Sequence, residues 1–274
     1  MRKFKENILK FLIYLSAIFT VGTLAIIVGY IFAKGVGKLN LHFLISDYSS
    51  SGDGGILPMI VSTVYMVGVS IAIAAPIGIL AAIYMQEYAK QGKLVKVIRF
   101  ATESLAGIPS IIYGLFGGIF FVTVLKLSFS ILSGALTVAI IILPLIIRTT
   151  EEALKTVPKS YREASLALGS TKFQMLYKVV LPSAVPGILS GIILSVGRVI
   201  GESAAIFLTA GTVAQMPSGI FDSARTLTVH AYLLTKESGD IQTAAALGIV
   251  LIFIVLTLNT IAKVIAKKLN KANY

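Results

Sequence analysis

Arg198 and Glu202 stand where an apolar run gives little reason for charge. They lie four residues apart in the stretch 184–210, which otherwise holds no ionisable residue. A charge at mid-membrane costs about 2.5–3.5 kcal/mol on insertion scales, so each requires a partner or a wet cavity. At i, i+4 helical spacing they share a face with Ser195, Ala205 and Thr209. Two chemistries fit. Either the pair neutralises itself and locks helices together, or Arg198 offers a planar, permanently charged donor fork to a pathway. Gly197 and Gly201 form a G-x-x-x-G beside the pair, suited to close helix contact.

Other chemistry is sparse. The chain has no cysteine, which excludes disulfides, thiolate metal sites and a cysteine nucleophile. Its two histidines, His42 and His230, fall in loops far apart and read as solvated residues rather than metal ligands. No G-x-x-x-x-G-K-[ST] run occurs, so ATP-driven work requires another subunit, and no catalytic or cofactor site is expected in this chain. Ser110 and Tyr113 are candidates for lining a pathway, with a backbone-bonded serine and a packed aromatic as the alternatives. Asp222 and Arg225, at i, i+3, read as a local pair, with contact to an external protein partner as the alternative.

The elements that must position these residues are membrane helices. Of 274 residues 56% are hydrophobic and 13% charged, with mean hydropathy +0.90, too few charges for a soluble surface. The expected fold is an all-α, polytopic transmembrane protein, a single domain over 1–274 embedded in membrane lipid. Six spans are expected near 8–33, 57–84, 105–125, 131–147, 184–210 and 243–265, each approaching the roughly 20 residues that cross the hydrocarbon. The first is preceded by a basic segment suited to the interface. Pro76 is expected to kink the second span. Gly107, Pro109, Gly114, Gly117 and Gly118 make the third a crowded or broken helix. Loops are expected at 34–56, which holds Ser50, Ser51, Gly52 and Asp53, at 86–103 and at 211–241.

The net charge of +12 is carried by short basic segments rather than by one basic face with interleaved aromatics, which argues against nucleic acid. The N-terminus, the loop before residue 105, the segment 148–182 and the tail hold 18 of the 24 Lys and Arg residues. The positive-inside rule therefore places both termini and that segment in the cytoplasm.

Segment 148–182 is the polar exception among apolar runs. Pro158 suits a first helical turn, and Ser160 with Glu163 spaces as a capping box. Tyr161, Ala164 and Leu168 share one face, and Gly169 suits the left-handed residue closing the helix. Thr171 and Gln174 space as a second capping box, opening a helix with Phe173, Leu176 and Val180 on one side, which Pro182 is expected to end.

Glu163-Ala164-Ser165-x3-Gly169, nine residues, then Val179-x-Leu181-Pro182 resembles the EAA loop of binding-protein-dependent ABC importer permeases. Ser165 replaces the second alanine of that pattern and Val179 its isoleucine. The resemblance implies that Glu163, Ala164, Ser165 and Gly169 form a coupling helix and turn seated in a groove of a cytoplasmic ATPase. Leu181 and Pro182 return the chain to the membrane.

Further stretches resemble the phosphate permeases of that superfamily, the PstA type in particular: Gly54-Gly55-Ile56-x-Pro58, residues 107–117, Gly197-Arg198-x-x-Gly201-Glu202-Ser203-Ala204 and Arg225-Thr226-Leu227-Thr228-Val229-His230. That resemblance implies an inner-membrane phosphate importer of a prokaryote. Its other parts are a second, PstC-like permease chain, two PstB-like ATPase copies that bind ATP and Mg, and a PstS-like phosphate-binding protein outside. Arg198 then faces the pathway as a phosphate donor fork, while Glu202 accepts the proton that hydrogen phosphate has and sulfate lacks. A permease for sulfate, molybdate or tungstate is the nearest alternative, and an ion-coupled secondary transporter the next.

Overall fold

The computed structural model describes residues 2–49, 54–90 and 92–271. Ser50, Ser51, Gly52 and Asp53 lie outside the described residues, as do the side chains of Arg2, Lys3, Lys5, Lys267, Lys268 and Lys271.

Long apolar runs fold as helices because no water is at hand to satisfy a free backbone N–H or C=O. They begin with α1 (Arg2–Gly35) and the short α2 (Leu41–Ile45). Next come α3 (Leu57–Ile83), α4 (Lys93–Ala106), α5 (Ser110–Gly117) and α6 (Ile131–Thr156). The polar segment supplies α7 (Lys159–Ala167) and α8 (Lys172–Met175), followed by α9 (Leu181–Gly201) and α10 (Ala204–Thr209). The chain closes with α11 (Leu227–Leu233) and α12 (Ile241–Lys271). Several hydroxyls inside the spans bond their own helix: Ser62 donates to the Pro58 carbonyl and Thr63 to that of Met59, both at 2.7 Å.

Among the described residues five helices are long and apolar enough to cross a membrane. A sixth span arises if the bent pair Lys93–Ala106 and Ser110–Val124 counts as one. The bend between those two is 99°, so the third span is broken rather than continuous, and the expected loop 86–103 is largely the helix α4. Pro109 causes the break: it lacks an N–H and holds the preceding residue out of helical geometry. Helix α3 runs through Pro76 without interruption.

Helices α3, α6 and α9 make the centre, with α3 and α6 the most extensively packed pair. Their shared core is built of small and β-branched residues, including Ala74, Ala75, Ala135, Val138, Ala139 and Val199. Apolar attraction cannot drive helix association in lipid, so close approach through small residues takes its place. Helix α1 is unlike the others, since none of its apolar window is buried. It meets α12 near Gly35, where an added Cβ would stand 2.6 Å from the Ala245 carbonyl carbon.

At the end of the bundle away from α7, backbone bonds knit three loops. Ser130 N–H donates to the Thr209 carbonyl, Ile131 to Asp222, and Ala224 to Ala210. The expected loop 211–241 contains helix α11, capped by Thr226, whose hydroxyl accepts from Val229 N–H. His230 sits on this helix and is only 4% exposed, so it is not a solvated loop residue. Its Nδ1 lies 3.2 Å from an Arg225 nitrogen, and Tyr48 meets its ring edge-on at 5.7 Å. Arg225 also donates to the Thr212 carbonyl, while Asp222 accepts from the N–H groups of Ser218 and Gly219. The two therefore serve separate networks and do not form the expected local pair.

Candidate functional site

The polar segment folds as a two-helix knob. Pro158 is the residue before α7, with extended ψ, so Ser160 already lies inside the helix and the expected Ser160–Glu163 capping box does not form. The other end matches expectation: Gly169 takes φ +82°, a conformation that disfavours any side chain. Ser165 gains a purpose here, because its hydroxyl lies 2.7 Å from that of Ser170, which in turn donates to the Ser165 carbonyl. The hydroxyl that departs from the EAA pattern closes the turn around Gly169.

The second capping box is complete. Thr171 Oγ1 accepts from Gln174 N–H at 3.2 Å, and Gln174 Oε1 accepts from Thr171 N–H at 3.0 Å. From that cap the helix does not stop at Pro182. It continues through a wider π-turn, Leu176–Val180, into α9, giving one 30-residue element, Lys172–Gly201. In the π-turn Leu181 N–H reaches back five residues to the Leu176 carbonyl, and this local widening accompanies the proline that has no N–H to give.

Glu163, Ala164 and Gly169 are exposed, and Leu181 and Pro182 half-buried. Around them lie apolar side chains that a finished soluble surface would cover. Leu168 is 89% exposed, and Phe173 and Tyr177 stack with nearly parallel rings at 6.3 Å, both 66% exposed. On its inner side the knob is polar. Arg162 donates to the Leu154 carbonyl at 2.8 Å, the Val157 carbonyl at 2.6 Å and the Glu87 carboxylate at 2.9 Å. The sequence reading did not single out Arg162 or Glu87. The signal available was an arginine in the first turns of a helix that directly follows the end of another, within reach of its free carbonyls.

The membrane-embedded pair is rearranged. Helix α9 ends at Gly201, and Glu202 adopts φ −77°, ψ 130°, so the face carrying Arg198 does not continue to Thr209. Glu202 is 7% exposed, and its Oε1 accepts from Ala205 N–H at 3.2 Å, securing the first turn of α10. The Ile200 carbonyl, released by the break, accepts from the Thr228 hydroxyl at 2.5 Å. Arg198 is exposed and makes no ion pair or hydrogen bond with any of the described residues. The mutual-neutralisation reading therefore has no geometric support within this chain.

The remaining pathway candidates take packing positions. Ser195 and Thr209 are buried and donate to the carbonyls four residues back, Gly191 and Ala205. Tyr113 is buried, and its phenol donates across the bend to the Leu105 carbonyl at 2.8 Å, tying α5 to α4. Ser110 opens α5, half-buried at the same bend. Gly197 and Gly201 make no close contact within the chain and line an outward apolar groove of about 300 Å³ with Thr228, Leu251 and Val255.

A bundle of apolar helices with broken spans and a protruding, partly apolar knob is the architecture of a transport-system permease. The chain belongs to the family described as binding-protein-dependent transport system inner membrane component, whose model matches residues 74–272. It is 35% identical over 260 residues to the probable ABC transporter permease protein YqgI of Bacillus subtilis (strain 168), covering 87% of this chain and 88% of that protein. It is 37% identical over 210 residues to the phosphate transport system permease protein PstA of Pasteurella multocida (strain Pm70), covering 76% and 75%. In fold it is similar to a chain of a bacterial alginate ABC transporter crystallised with an alginate pentasaccharide-bound periplasmic protein. The TM-score is 0.71 at 16% identity, over 98% of each chain. The inward-facing MetNI methionine ABC transporter gives a TM-score of 0.60 at 20% identity, over 78% of this chain and 94% of that one. The chain is thus a multi-pass inner-membrane permease subunit of an ABC importer.

Proposed function

We propose that this permease moves inorganic phosphate into the cytoplasm by alternating access. It works with a second permease chain, a pair of ATPase subunits that bind ATP and Mg, and a phosphate-binding protein outside. Both termini and the knob lie in the cytoplasm, in keeping with the distribution of Lys and Arg.

Arg198 carries this reading. An exposed guanidinium with no partner among the described residues, on an otherwise apolar span beside a helix break, suits a cavity through which an oxyanion passes. Its planar fork matches two oxygens of a tetrahedral anion, which a lysine would meet only as a point charge. The likeness to PstA proteins supports phosphate among the oxyanions. Nearby, Glu202 keeps one carboxylate oxygen on α10 and offers the other to the proton of hydrogen phosphate.

Arg198→Ala in the reconstituted complex tests the assignment. A lost charge-assisted contact is worth about 1.5–3 kcal/mol, so uptake should fall by about tenfold to a hundredfold. Assembly and ATP hydrolysis should persist. Loss of assembly would instead make Arg198 an interface residue.

A further inference from the structure

We propose that Arg162 is the positioning residue that makes α3 move with the coupling knob and the end of α6, so that ATP-driven motion of α7 reaches α3 directly. The proposal rests on the importer reading above.

Covalent connection joins α7 to α6 through Val157 and Pro158, and to α9 through the Gly169 turn and the long helix ending at Gly201. Neither route attaches α3. The most extensive backbone packing of α7 is with α8 and the π-turn after it. A cleft of about 440 Å³ stands at this junction, lined by Gln86, Glu87, Lys155, Val157, Lys159 and Arg162 among others. Arg162 spans it.

Its guanidinium joins three separate acceptors. Two are the carbonyls of Leu154 and Val157 at the end of α6, where a helix has carbonyls without internal partners and a negative partial charge. The third is Glu87, in the π-turn Tyr84–Tyr88 that finishes α3. The pair is well shielded, with side-chain exposure of 18% for Arg162 and 8% for Glu87. A rigid planar fork holds three acceptors in fixed directions, whereas the compact ammonium of lysine on its flexible stem does not. Shielding also reduces the screening that makes exposed ion pairs weak. Arg162 thus binds inward to the ends of two spans, while its neighbour Glu163 is exposed and lines the same cleft without an ion pair among the described residues.

The test uses the complete complex in proteoliposomes. The chain has no cysteine, so Tyr84→Cys and Lys159→Cys introduce the only two label sites in it, on the far sides of the clamp. The spin-label separation should stay the same between the nucleotide-free and ATP-bound states. Adding Arg162→Gln should broaden it and lower the phosphate moved per ATP by about tenfold, with ATP hydrolysis retained. Arg162→Lys should restore part of that ratio. A separation that changes on ATP binding in the otherwise unaltered chain overturns the proposal, as does an Arg162→Gln complex with unchanged separation and stoichiometry. If Arg162→Gln does not assemble, Glu87→Gln decides. It leaves the carbonyl bonds in place and should lower the ratio by less, and an unchanged ratio overturns the clamp. A wild-type complex that moves no phosphate refutes the substrate reading alone, because the label separation does not depend on substrate.

Discussion

Arg198 and Glu202 diverge because the backbone leaves the helix between them and α10. One becomes an exposed cation with no partner among the described residues, and the other a buried carboxylate that secures the next helical turn. Glutamine at position 202 retains an oxygen for Ala205 N–H but removes the charge. Glu202→Gln should therefore assemble normally and lose its preference for phosphate over sulfate, read as competing uptake into vesicles. Unchanged sulfate rejection would leave Glu202 with the helix-capping role alone. A second residue-scale expectation concerns His230. Burial, followed by the Arg225 charge beside it, lowers its pKa from 6.5 to about 4. The folded chain therefore holds a neutral imidazole where the unfolded chain binds a proton. Its contribution to stability is fully present above pH 6.5 and is lost as pH falls toward 4. Thermal unfolding in detergent should weaken across that window, and His230→Gln should flatten the dependence. A wild-type midpoint constant from pH 7 to pH 4 would contradict this.

Elements meet where glycines let them. A Cβ on Gly114 would stand 2.8 Å from the Ala205 Cα, so α5 and α10 touch through backbone at that point. Gly114→Val should cost about 1–3 kcal/mol by overpacking, seen as a lowered unfolding midpoint, and a neutral result would mean that the two helices separate easily. Much of this architecture was legible beforehand. Apolar length gave the spans, the Thr171–Gln174 spacing gave a cap, and Gly169 gave the left-handed turn. The break at Pro109 was signalled by the glycines and proline of 105–125, which already marked a crowded or broken helix. Hydropathy did not reveal the second break: residues 184–210 are apolar enough to read as a straight span, yet at Glu202 a side chain replaces a backbone hydrogen bond. Pro182 misled in the other sense, because a π-turn accommodates it and the helix goes on. The Arg162–Glu87 contact joins residues 75 apart, which no local pattern signals.

At the scale of the molecule, a knob with exposed Leu168, Phe173 and Tyr177 sits at one end of a bundle whose central helices it reaches by three routes. The long Lys172–Gly201 helix leads toward Arg198, Val157 and Pro158 lead to α6, and Arg162 leads to α3. The outer helix α1 leaves its apolar window wholly exposed, fitting a subunit that meets lipid and other membrane chains. The second helix of the knob and the exposed arginine thus lie on one continuous element, with about 24 Å of helix between Pro182 and Arg198. The central claim is that this element links ATP hydrolysis by a partner to passage of phosphate. Its most direct test is uptake of radiolabelled phosphate into proteoliposomes holding the complete complex and the binding protein, with ATP inside or outside and sulfate in competition. We expect accumulation that requires ATP on the knob side and is not displaced by equimolar sulfate. ATP-independent equilibration, or uptake that sulfate abolishes, would contradict the account.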